Sequence, residues 1–275
     1  MSDKPDLPPL REVIRQYGLR AEKKLGQNFL LDSNITDKIV RSAGDLGGVH
    51  AVEIGPGPGG LTRSILASKA ASVTAIEFDQ RAVTALQDLK RVYPDRLHII
   101  HGDALEADLT ALVPAPRAVI ANLPYNIATP LTLGWLRQIR SNPENAFRSM
   151  TLMYQKEVAE RLCAAPNTKA YGRLSVITGW LCAAKRVYDL PPSAFTPPPK
   201  VTSSVVHFTP RALPDNHPTF EQVEKLTALA FGQRRKMIRG PLKDYMAIIE
   251  ALGIPETARA EELGIEQFLA IAKQT

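Results

Sequence analysis

The residues of this chain with the most distinctive chemistry are Asn122-Leu123-Pro124-Tyr125, which follow the apolar run Ala118–Ala121. A buried strand that ends in this turn suits methylation of an exocyclic amino group on a base. The side-chain carbonyl of Asn122 and the backbone carbonyl of Leu123 can both accept hydrogen bonds from an –NH2 group, which draws the nitrogen lone pair out of conjugation. Tyr125 offers a face on which the base stacks. Since Asn and Pro are common turn residues, an ordinary strand-to-loop turn is the alternative.

A glycine-rich loop closes the first predicted strand and opens a helix. Residues Gly55–Gly60 match the GxGxxG spacing, and Glu77 lies about one βα unit later. The layout fits a nicotinamide dinucleotide or S-adenosylmethionine, since both carry a ribose whose hydroxyls an acidic residue can bind. Pro56 and Pro58 remove two backbone N–H donors, which weakens the loop as a cradle for pyrophosphate. S-adenosylmethionine has no phosphate, so the loop favours the methyl donor.

A third polar residue, Asp103, follows the third predicted strand. Its carboxylate can accept a hydrogen bond from an adenine amino group. The alternative is that Asp103 caps a helix over Ala104–Leu112. Four successive strand ends thus carry a glycine loop, Glu77, Asp103 and the Asn122 turn. Carboxyl ends of parallel strands meet at one edge of a sheet, so we expect these residues to line one crevice.

The elements that must position these residues alternate between β-rich runs and helical periodicity. The predicted strands are His50–Ile54, Ser72–Glu77, Leu97–Ile100, Arg117–Ala121 and Met150–Tyr154. The predicted helices are Asp32–Ala43, Gly60–Lys69, Gln80–Arg91 and Ala128–Arg140. This alternation predicts an α/β, Rossmann-like fold with a doubly wound, mainly parallel sheet and helices on both faces.

The pattern changes after about residue 185. Two proline clusters bracket Phe195, and a β-branched strand follows at Val201–Phe208. Pro210–Pro218 has the composition of a linker, and the remainder shows helical periodicity without strand signals. We therefore expect an N-terminal extension over 1–18, a Rossmann-like methyltransferase domain over 19–209 and a small α-helical, RNA-binding domain over 210–275.

The composition excludes several classes of protein. The 275 residues are 44% apolar and 23% charged, as in a soluble globular protein, and no apolar run is long enough to span a membrane. Cys163 and Cys182 form no CxxC pair, which argues against a metal site and fits a reducing, cytoplasmic compartment. The first residues lack the layout of a signal peptide.

The chain carries a net charge of +6, which suggests a polyanionic partner. Two basic clusters stand out: Arg11, Arg15, Arg20, Lys23 and Lys24, and then Arg234, Arg235, Lys236, Arg239 and Lys243. Either cluster could be a solvated helix face. In a chain whose turn at Asn122 points to a nucleobase, contact with RNA phosphates is the better interpretation.

Several segments resemble one protein family closely. They are Lys24–Leu30, Glu53–Thr62, Ile76-Glu77, Asn122–Pro130, Tyr171–Ser175, Phe195–Val206 and Phe231–Arg239. All are similar to segments of the small-subunit ribosomal RNA adenine dimethyltransferases, bacterial members above all, and the likeness covers about residues 19 to 245. The chain departs from the family's usual loop at Pro58-Gly59-Gly60, which affects only loop detail.

The resemblance implies a class I, S-adenosylmethionine-dependent enzyme without a metal. Family members place two methyl groups on each of two adjacent adenosines in a hairpin near the 3′ end of 16S ribosomal RNA, in the 30S subunit or its precursor. By resemblance, the donor would be contacted by Asn28, Leu30, Gly55, Glu77, Asp103 and Asn122. The RNA contacts would include Arg20, Lys23, Lys24, Arg234, Arg235, Lys236 and Arg239. We expect a monomer with a role in small-subunit biogenesis.

The proposed chemistry assigns roles to Asn122, Leu123, Pro124, Tyr125 and Phe195. The flipped adenine would stack on Tyr125, with Phe195 as the candidate for its other face. The alternative for Phe195 is a plug beneath the proline turns. The Asn122 and Leu123 carbonyls would stabilise the positive charge that develops on nitrogen. No strong base is needed, because the methylated ammonium is acidic enough to lose its proton to water.

Three other functions remain open at this stage. A nicotinamide-dependent oxidoreductase would share the glycine loop but leave the Asn122 turn unexplained. A methyltransferase of the antibiotic-resistance type, acting on 23S ribosomal RNA, would share both features, although Phe195–Val206 and Arg234–Arg239 fit the small-subunit group better. A non-enzymatic ribosome-assembly factor would keep the basic surface, but Glu77, Asp103 and Asn122 argue for retained activity.

Overall fold

The computed structural model describes residues 7–19, 26–214 and 216–274 of the chain. Three of the predicted RNA contacts, Arg20, Lys23 and Lys24, lie outside these residues. Within them the strands are β1 Phe29–Leu30, β2 His50–Ile54, β3 Ser72–Glu77, β4 Leu97–His101, β5 Arg117–Ala121, β6 Ser149–Gln155, β7 Cys182–Leu190, β8 Phe195–Thr196 and β9 Ser203–Pro210.

The helices of the described residues surround these strands. They are α1 Leu10–Gln16, α2 Ser33–Ser42, α3 Gly60–Leu66, α4 Gln80–Val92, α5 Leu109–Leu112, α6 Tyr125–Ser141, α7 Lys156–Leu162, α8 Arg173–Leu181, α9 Phe220–Gly232, α10 Met246–Ala251 and α11 Ile265–Ala272. Short 3-10 turns lie at Pro192–Ala194, Lys243–Tyr245 and Ala260–Glu262.

Seven strands form one sheet in the order β4-β3-β2-β5-β6-β9-β7. The first five are parallel, whereas β9 runs antiparallel to both β6 and β7. The strand order changes direction between β2 and β5, which makes that junction the switch point of the sheet. The strands β1 and β8 form a separate antiparallel pair. The predicted α/β, mainly parallel fold is confirmed.

Side chains alternate between the two faces of the sheet, as the period of a strand requires. Val52 and Val119 belong to one large hydrophobic cluster, with side chains of α6, α8, α9 and α11. Ala51 and Ile120, their neighbours along the strands, belong to a second cluster, with side chains of α2, α3 and α4. The sheet is therefore covered by helices on both faces.

Three predicted strands have the bounds seen in the structure: β2, β3 and β5. Helix α6 begins at Tyr125, three residues before its predicted start, and contains Pro130. The sequence patterns missed α7, α8 and β7. They also missed α1 in the N-terminal extension, whose Val13 shares a small hydrophobic cluster with Leu19 and with Ala82 and Ala85 of α4.

The helices after residue 219 agree with the predicted C-terminal helical segment. Phe220, Leu226 and Phe268 share one hydrophobic cluster with Leu152 and Tyr154 of β6. The sheet and the last helices are thus packed through a common core, and the boundary at residues 209 and 210 stays a prediction. No helix in the described part of the chain is long and apolar enough to cross a membrane.

Candidate active site

A cavity of about 200 Å³ lies at the carboxyl edge of the parallel strands, around the switch point. The loops after β2, β3, β4 and β5 form one side of the cavity, and residues 26–30 form another side. All six residues predicted to contact the donor line it: Asn28, Leu30, Gly55, Glu77, Asp103 and Asn122. Leu123, Pro124 and Tyr125 line it as well. The fold therefore brings together side chains that are almost 100 positions apart.

The glycine loop is shaped by two close approaches. Gly57 has a φ of +53°, and a Cβ there would lie 2.9 Å from the ring of Phe29. A Cβ on Gly60 would lie 2.5 Å from the backbone oxygen of Leu30. The loop and the segment 29–30 can pack this closely only because neither glycine carries a side chain.

Glu77 ties the glycine loop to the end of β3. The side chain is 6% exposed; its Oε2 accepts a hydrogen bond of 3.0 Å from the N–H of Gly57, and its Oε1 one of 2.8 Å from the N–H of Asp79. Burial raises the pKa of this carboxyl group above its usual range, against the lowering effect of these N–H donors. Each oxygen keeps a lone pair for a further donor, such as a ribose hydroxyl.

The orientation of the Asn122 amide is fixed by the N-terminal segment. Its Nδ2 donates a hydrogen bond of 2.9 Å to the backbone carbonyl of Asn28. Asn28 in turn donates from its own Nδ2 to the carbonyl of Gly26, at 3.2 Å. Because the NH2 group of Asn122 is committed in this way, its Oδ1 is the atom left to accept a hydrogen bond.

Tyr125 is the first residue of α6 and is half-buried. Its hydroxyl lies 2.5 Å from Oγ of Ser203, the fully buried first residue of β9. Burial raises the pKa of the phenol, and the hydrogen bond to Ser203 opposes that shift. Since β9 runs antiparallel to its neighbours, its start lies at the edge where the parallel strands end. The ring of Tyr125 is therefore held in place by its hydroxyl.

Phe195 does not line the cavity. Its side chain is 3% exposed and belongs to the hydrophobic cluster that includes Met153 and Val205. Its backbone pairs with Leu30 between β1 and β8. This placement corrects the expectation of a stacking face: Phe195 is a core plug beneath the proline turns here, and stacking on a base would require its ring to leave the cluster.

Asp103 is exposed at the rim of the cavity. Its Oδ1 accepts a hydrogen bond of 2.9 Å from the N–H of Leu105. The alternative role, a cap for a helix over Ala104–Leu112, is wrong: the helix there, α5, begins at Leu109 and is capped by Asp108. Asp103 shapes a local turn and keeps its second oxygen for a ligand.

Among the other residues that line the cavity, three stand out that the sequence did not single out as contacts. Phe78 is 62% exposed and Leu105 is 48% exposed, both unusual for large apolar side chains. Phe78 follows Glu77 directly, and Leu105 lies two residues after Asp103. A large apolar residue soon after each acidic residue at a strand end is therefore the sequence signal that could have identified these two cavity residues. The third is Glu53, which is buried in the cavity wall.

The second basic cluster follows the end of α9. Arg234 donates to the carbonyl of Thr168 at 3.2 Å and lies 3.7 Å from a carboxylate oxygen of Glu261. Arg239 forms an ion pair of 3.1 Å with Glu256. Arg235 and Lys236 are exposed and form no ion pair with the described residues. Arg234 and Arg239 are therefore engaged within the protein, whereas Arg235 and Lys236 are open to solvent.

No group of three or more metal-ligating side chains occurs in the described ranges. The cavity is lined by carboxylates, side-chain amides, backbone groups and apolar side chains. Such a set suits an organic ligand with a ribose, a base and a charged end.

Comparison with known proteins decides against the nicotinamide-dependent function. The sequence model of the family described as ribosomal RNA adenine dimethylase matches residues 18–275. The chain belongs to the ribosomal RNA adenine dimethylase family. Its members use S-adenosylmethionine as methyl donor, so this chain is an rRNA adenine dimethyltransferase with ribosomal RNA as its partner. The nicotinamide-dependent alternative is not supported.

Relatives cover nearly the whole chain of this dimethylase. A protein of Xanthobacter autotrophicus named ribosomal RNA small subunit methyltransferase A is 54% identical over 99% of this chain and 95% of the relative. The protein of the same name from Rhodospirillum rubrum is 53% identical over 97% of this chain and 92% of its own.

Solved structures agree with the fold of the dimethylase. A dimethyladenosine transferase from Plasmodium falciparum is similar with a TM-score of 0.73 and 25% identity, over 87% of this chain and 94% of that one. The 23S rRNA methyltransferase ErmE has a TM-score of 0.68 at 24% identity, over 90% of this chain and 99% of its own, which shows a shared fold alone.

Proposed function

We propose that this rRNA adenine dimethyltransferase acts on the small ribosomal subunit. It would place two methyl groups on each of two adjacent adenosines in a hairpin near the 3′ end of 16S ribosomal RNA, with a role in subunit biogenesis. The amide of Asn122, held by the Asn28 carbonyl at the cavity edge, is the observation that carries the chemistry. The choice of subunit rests on relatives that are 53–54% identical over nearly the full chain.

The residues of the cavity fit S-adenosylmethionine. Glu77 would accept hydrogen bonds from the ribose hydroxyls, and the free oxygen of Asp103 one from the adenine amino group. Phe78 and Leu105 would offer apolar surface to the adenine ring. A buried carboxylate oxygen of Glu53 without a hydrogen-bond partner also calls for a ligand, since such an atom is costly to leave unsatisfied. Asn28, Leu30 and Gly55 would complete the contacts.

The turn after β5 would hold the target base. When bound, the donor supplies a methyl group on a sulfonium, which requires in-line approach of the adenine nitrogen. The Oδ1 of Asn122 and the Leu123 carbonyl would accept the two amino hydrogens, and Pro124 would fix the direction of that carbonyl. Tyr125 would stack on one face of the base. These acceptors gain little electrostatic stabilisation with the neutral amine. They stabilise the nitrogen more strongly as it becomes positive in the transition state.

The exposed cations after α9 would contact RNA phosphates. Arg235 and Lys236 are open for such contacts, whereas Arg234 and Arg239 would have to exchange their partners within the protein. Arg20, Lys23 and Lys24 would add further contacts to RNA phosphates. Phosphate contacts position an RNA without identifying its sequence, so recognition would rest on the shape of the hairpin within the subunit.

The organisation of the protein is proposed from the sequence. An extension over 1–18 would precede a methyltransferase domain over 19–209 and a helical RNA-binding domain over 210–275. The enzyme would act as a monomer in the cytoplasm, where its ribosomal substrate is made.

Labelling of under-methylated ribosomes tests the proposal. Small subunits from cells that lack this methylation would be incubated with the enzyme and S-adenosylmethionine labelled at the methyl group. The RNA is then digested and its nucleosides separated. We expect labelled dimethyladenosine in 16S RNA. Label in 23S RNA would point to the large-subunit alternative, and absence of label with intact binding would point to an assembly factor.

A further inference from the structure

The N-terminal extension lies against the two helices that begin beside the donor cavity. Helix α3 directly follows the glycine loop, and α4 begins three residues after Glu77. Within residues 7–19 of the extension, the backbone carbonyls of Pro8 and Gly18 accept hydrogen bonds from arginine side chains of α3 and α4 respectively. One short segment is thus bonded to both helices.

Arg63 makes the hydrogen bond to α3. It is the fourth residue of that helix, one turn after the glycine loop, and its Nη1 donates to the Pro8 carbonyl at 2.8 Å. The side chain is partly buried, and its Nε is buried without a hydrogen-bond partner among the described residues. At the start of the same helix, a Cβ on Gly60 would lie 3.1 Å from Cδ1 of Leu10. The extension therefore holds the beginning of α3 by packing and by a charge-assisted hydrogen bond.

Arg81 makes the hydrogen bond to α4. It is the second residue of that helix, and its Nη1 donates to the Gly18 carbonyl at 3.2 Å. The same guanidinium forms a two-pronged ion pair with Asp79, with Nε 3.0 Å from Oδ1 and Nη2 2.6 Å from Oδ2. Arg81 therefore joins the extension to the loop that follows β3.

Helix α1 reinforces the contact with α4. Val13 and Leu19 share a small hydrophobic cluster with two alanines on the first turns of α4. Farther along α4, the hydroxyl of Tyr17 donates a hydrogen bond to the carboxylate of Asp88. The extension thus follows α4 over more than one turn rather than touching it at a single point.

Asp79 links the Arg81 anchor to the donor site. Its N–H donates to Glu77, whose other carboxylate oxygen accepts from the N–H of Gly57 in the glycine loop. Its Oδ2 also accepts a hydrogen bond of 3.4 Å from Gln27, on the other side of the cavity. The carboxylates of Asp79 and Glu77 repel each other, so the guanidinium of Arg81 is what allows Asp79 to remain charged at this place.

We propose that residues 7–19 form a strap that positions the glycine loop and the Glu77 loop relative to each other, with Arg63 and Arg81 as its anchors. The inference rests on the proposed function and its donor site, and it gives a role to a segment outside the six predicted contacts. Neither arginine lines the donor cavity, so both are positioning residues that act through the loops beside them. A strap connects the two loops only while both of its ends are held.

Calorimetry with S-adenosylhomocysteine on full-length variants tests the proposal. Arg63→Met and Arg81→Met each keep an apolar stem and remove one anchor. We expect each to weaken the ligand about five- to tenfold, as the loss of a hydrogen bond from a charged donor would. Adding Arg63→Met to Arg81→Met should cost little more, because a strap released at one end no longer connects the loops. The matched control is Arg91→Met, an exposed position at the other end of α4, which should bind within about twofold of the parent.

A third variant releases the strap without altering either arginine. Val13→Asp places a charge in the contact between α1 and α4, and it should weaken S-adenosylhomocysteine about as much as Arg63→Met does. In methylation assays all three variants should raise the apparent KM for S-adenosylmethionine and keep kcat at saturating donor within about twofold, since the lost interactions orient the donor loops and do not touch the reacting atoms.

Two results would overturn the proposal while leaving the proposed function intact. Losses that multiply in the double arginine variant would mean that each arginine acts on its own helix alone. Parent-like affinity in Val13→Asp would mean that the docked extension does not influence the donor site. If the parent protein bound neither S-adenosylmethionine nor S-adenosylhomocysteine, the proposed donor site itself would fail.

Discussion

At the scale of single residues, the most consequential interaction is the one that orients Asn122. Without the bond from its Nδ2 to the Asn28 carbonyl, the amide could present either its NH2 group or its oxygen to the base. This hydrogen bond spans 94 positions and was not foreseeable from the sequence, whereas the residue type was. The residue that performs the chemistry was thus predictable, but not the hydrogen bond that fixes its direction.

Replacement of Asn122 should separate catalysis from donor binding. In Asn122→Ala we expect the methylation rate on small subunits to fall by about 10²–10³, the usual cost of removing a fixed acceptor at a developing charge. Donor affinity measured by calorimetry should fall less than about tenfold, because the other residues of the cavity remain. Asn142→Ala, at the far end of α6, is the control and should keep full activity. Full activity of Asn122→Ala would remove the catalytic assignment.

The pair Tyr125 and Ser203 should act as a unit. Tyr125→Phe keeps the ring but removes its anchor, and Ser203→Ala removes the same hydrogen bond, so each should raise the apparent KM for subunits a fewfold. The double variant should be no worse than the more severe single one. Tyr125→Ala should cost more, about 1–3 kcal/mol of base stacking. Additive effects of Tyr125→Phe and Ser203→Ala in the methylation assay would show that the hydroxyl pair has no positioning role.

At the scale of elements, the glycine loop needs a left-handed backbone conformation at position 57, which glycine adopts without strain. Gly57→Ala must adopt a φ of +53° with its Cβ against Phe29, so we expect a decrease of about 1–3 kcal/mol in the free energy of unfolding and much weaker donor binding. Gly134→Ala is the matched control: it lies inside α6 with no atom near its added Cβ, and should gain up to about 1 kcal/mol. Urea unfolding and calorimetry would compare the two. A Gly57→Ala protein as stable as the parent would contradict the strain argument.

The segment after α9 should bind RNA electrostatically. Reversing charge in Arg235→Glu with Lys236→Glu should raise the apparent KM for subunits at least tenfold and leave donor affinity unchanged. The dependence of binding on salt should weaken, by about 0.7–0.9 in the log–log slope for each phosphate that is no longer neutralised. The control is Lys69→Glu with Arg148→Glu. Both positions are exposed and lie just before β3 and β6, at the amino ends of the parallel strands and thus away from the cavity. Equal effects of the two pairs on KM would mean that only net charge matters.

The predictable elements were those with a clear hydrophobic pattern. Buried parallel strands such as β2 and β5 are short, mostly apolar and β-branched segments between turn signals, so their bounds were predictable. The strand β7 lies at the sheet edge, where charged residues such as Lys185 and Arg186 face solvent and hide the pattern. Helix α8 is buried nearly all round, so its apolar residues show no helical period.

At the scale of the whole molecule, Glu53 should make stability depend on pH. An acid whose pKa is raised in the folded state destabilises it once the unfolded chain can ionise. Between about pH 4.5 and 8, the ligand-free protein should therefore lose up to about 1.4 kcal/mol of unfolding free energy per pH unit through this group. Below that window the group costs nothing. Urea unfolding of the parent and of Glu53→Gln at pH 5 and 8 checks this: the variant should gain relative to the parent as pH rises, and parallel pH profiles would contradict it.

The position of β9 has a consequence for the order in which the protein becomes functional. In the described sheet β7 pairs only with β9, so it cannot join the sheet before β9 has been synthesised and has inserted beside β6. Ser203, the anchor of Tyr125, is the first residue of β9. Insertion of β9 beside β6 therefore also brings Ser203 to the hydroxyl of Tyr125. A newly made chain can therefore fix the ring of Tyr125 for a target base only once β9 has joined the sheet.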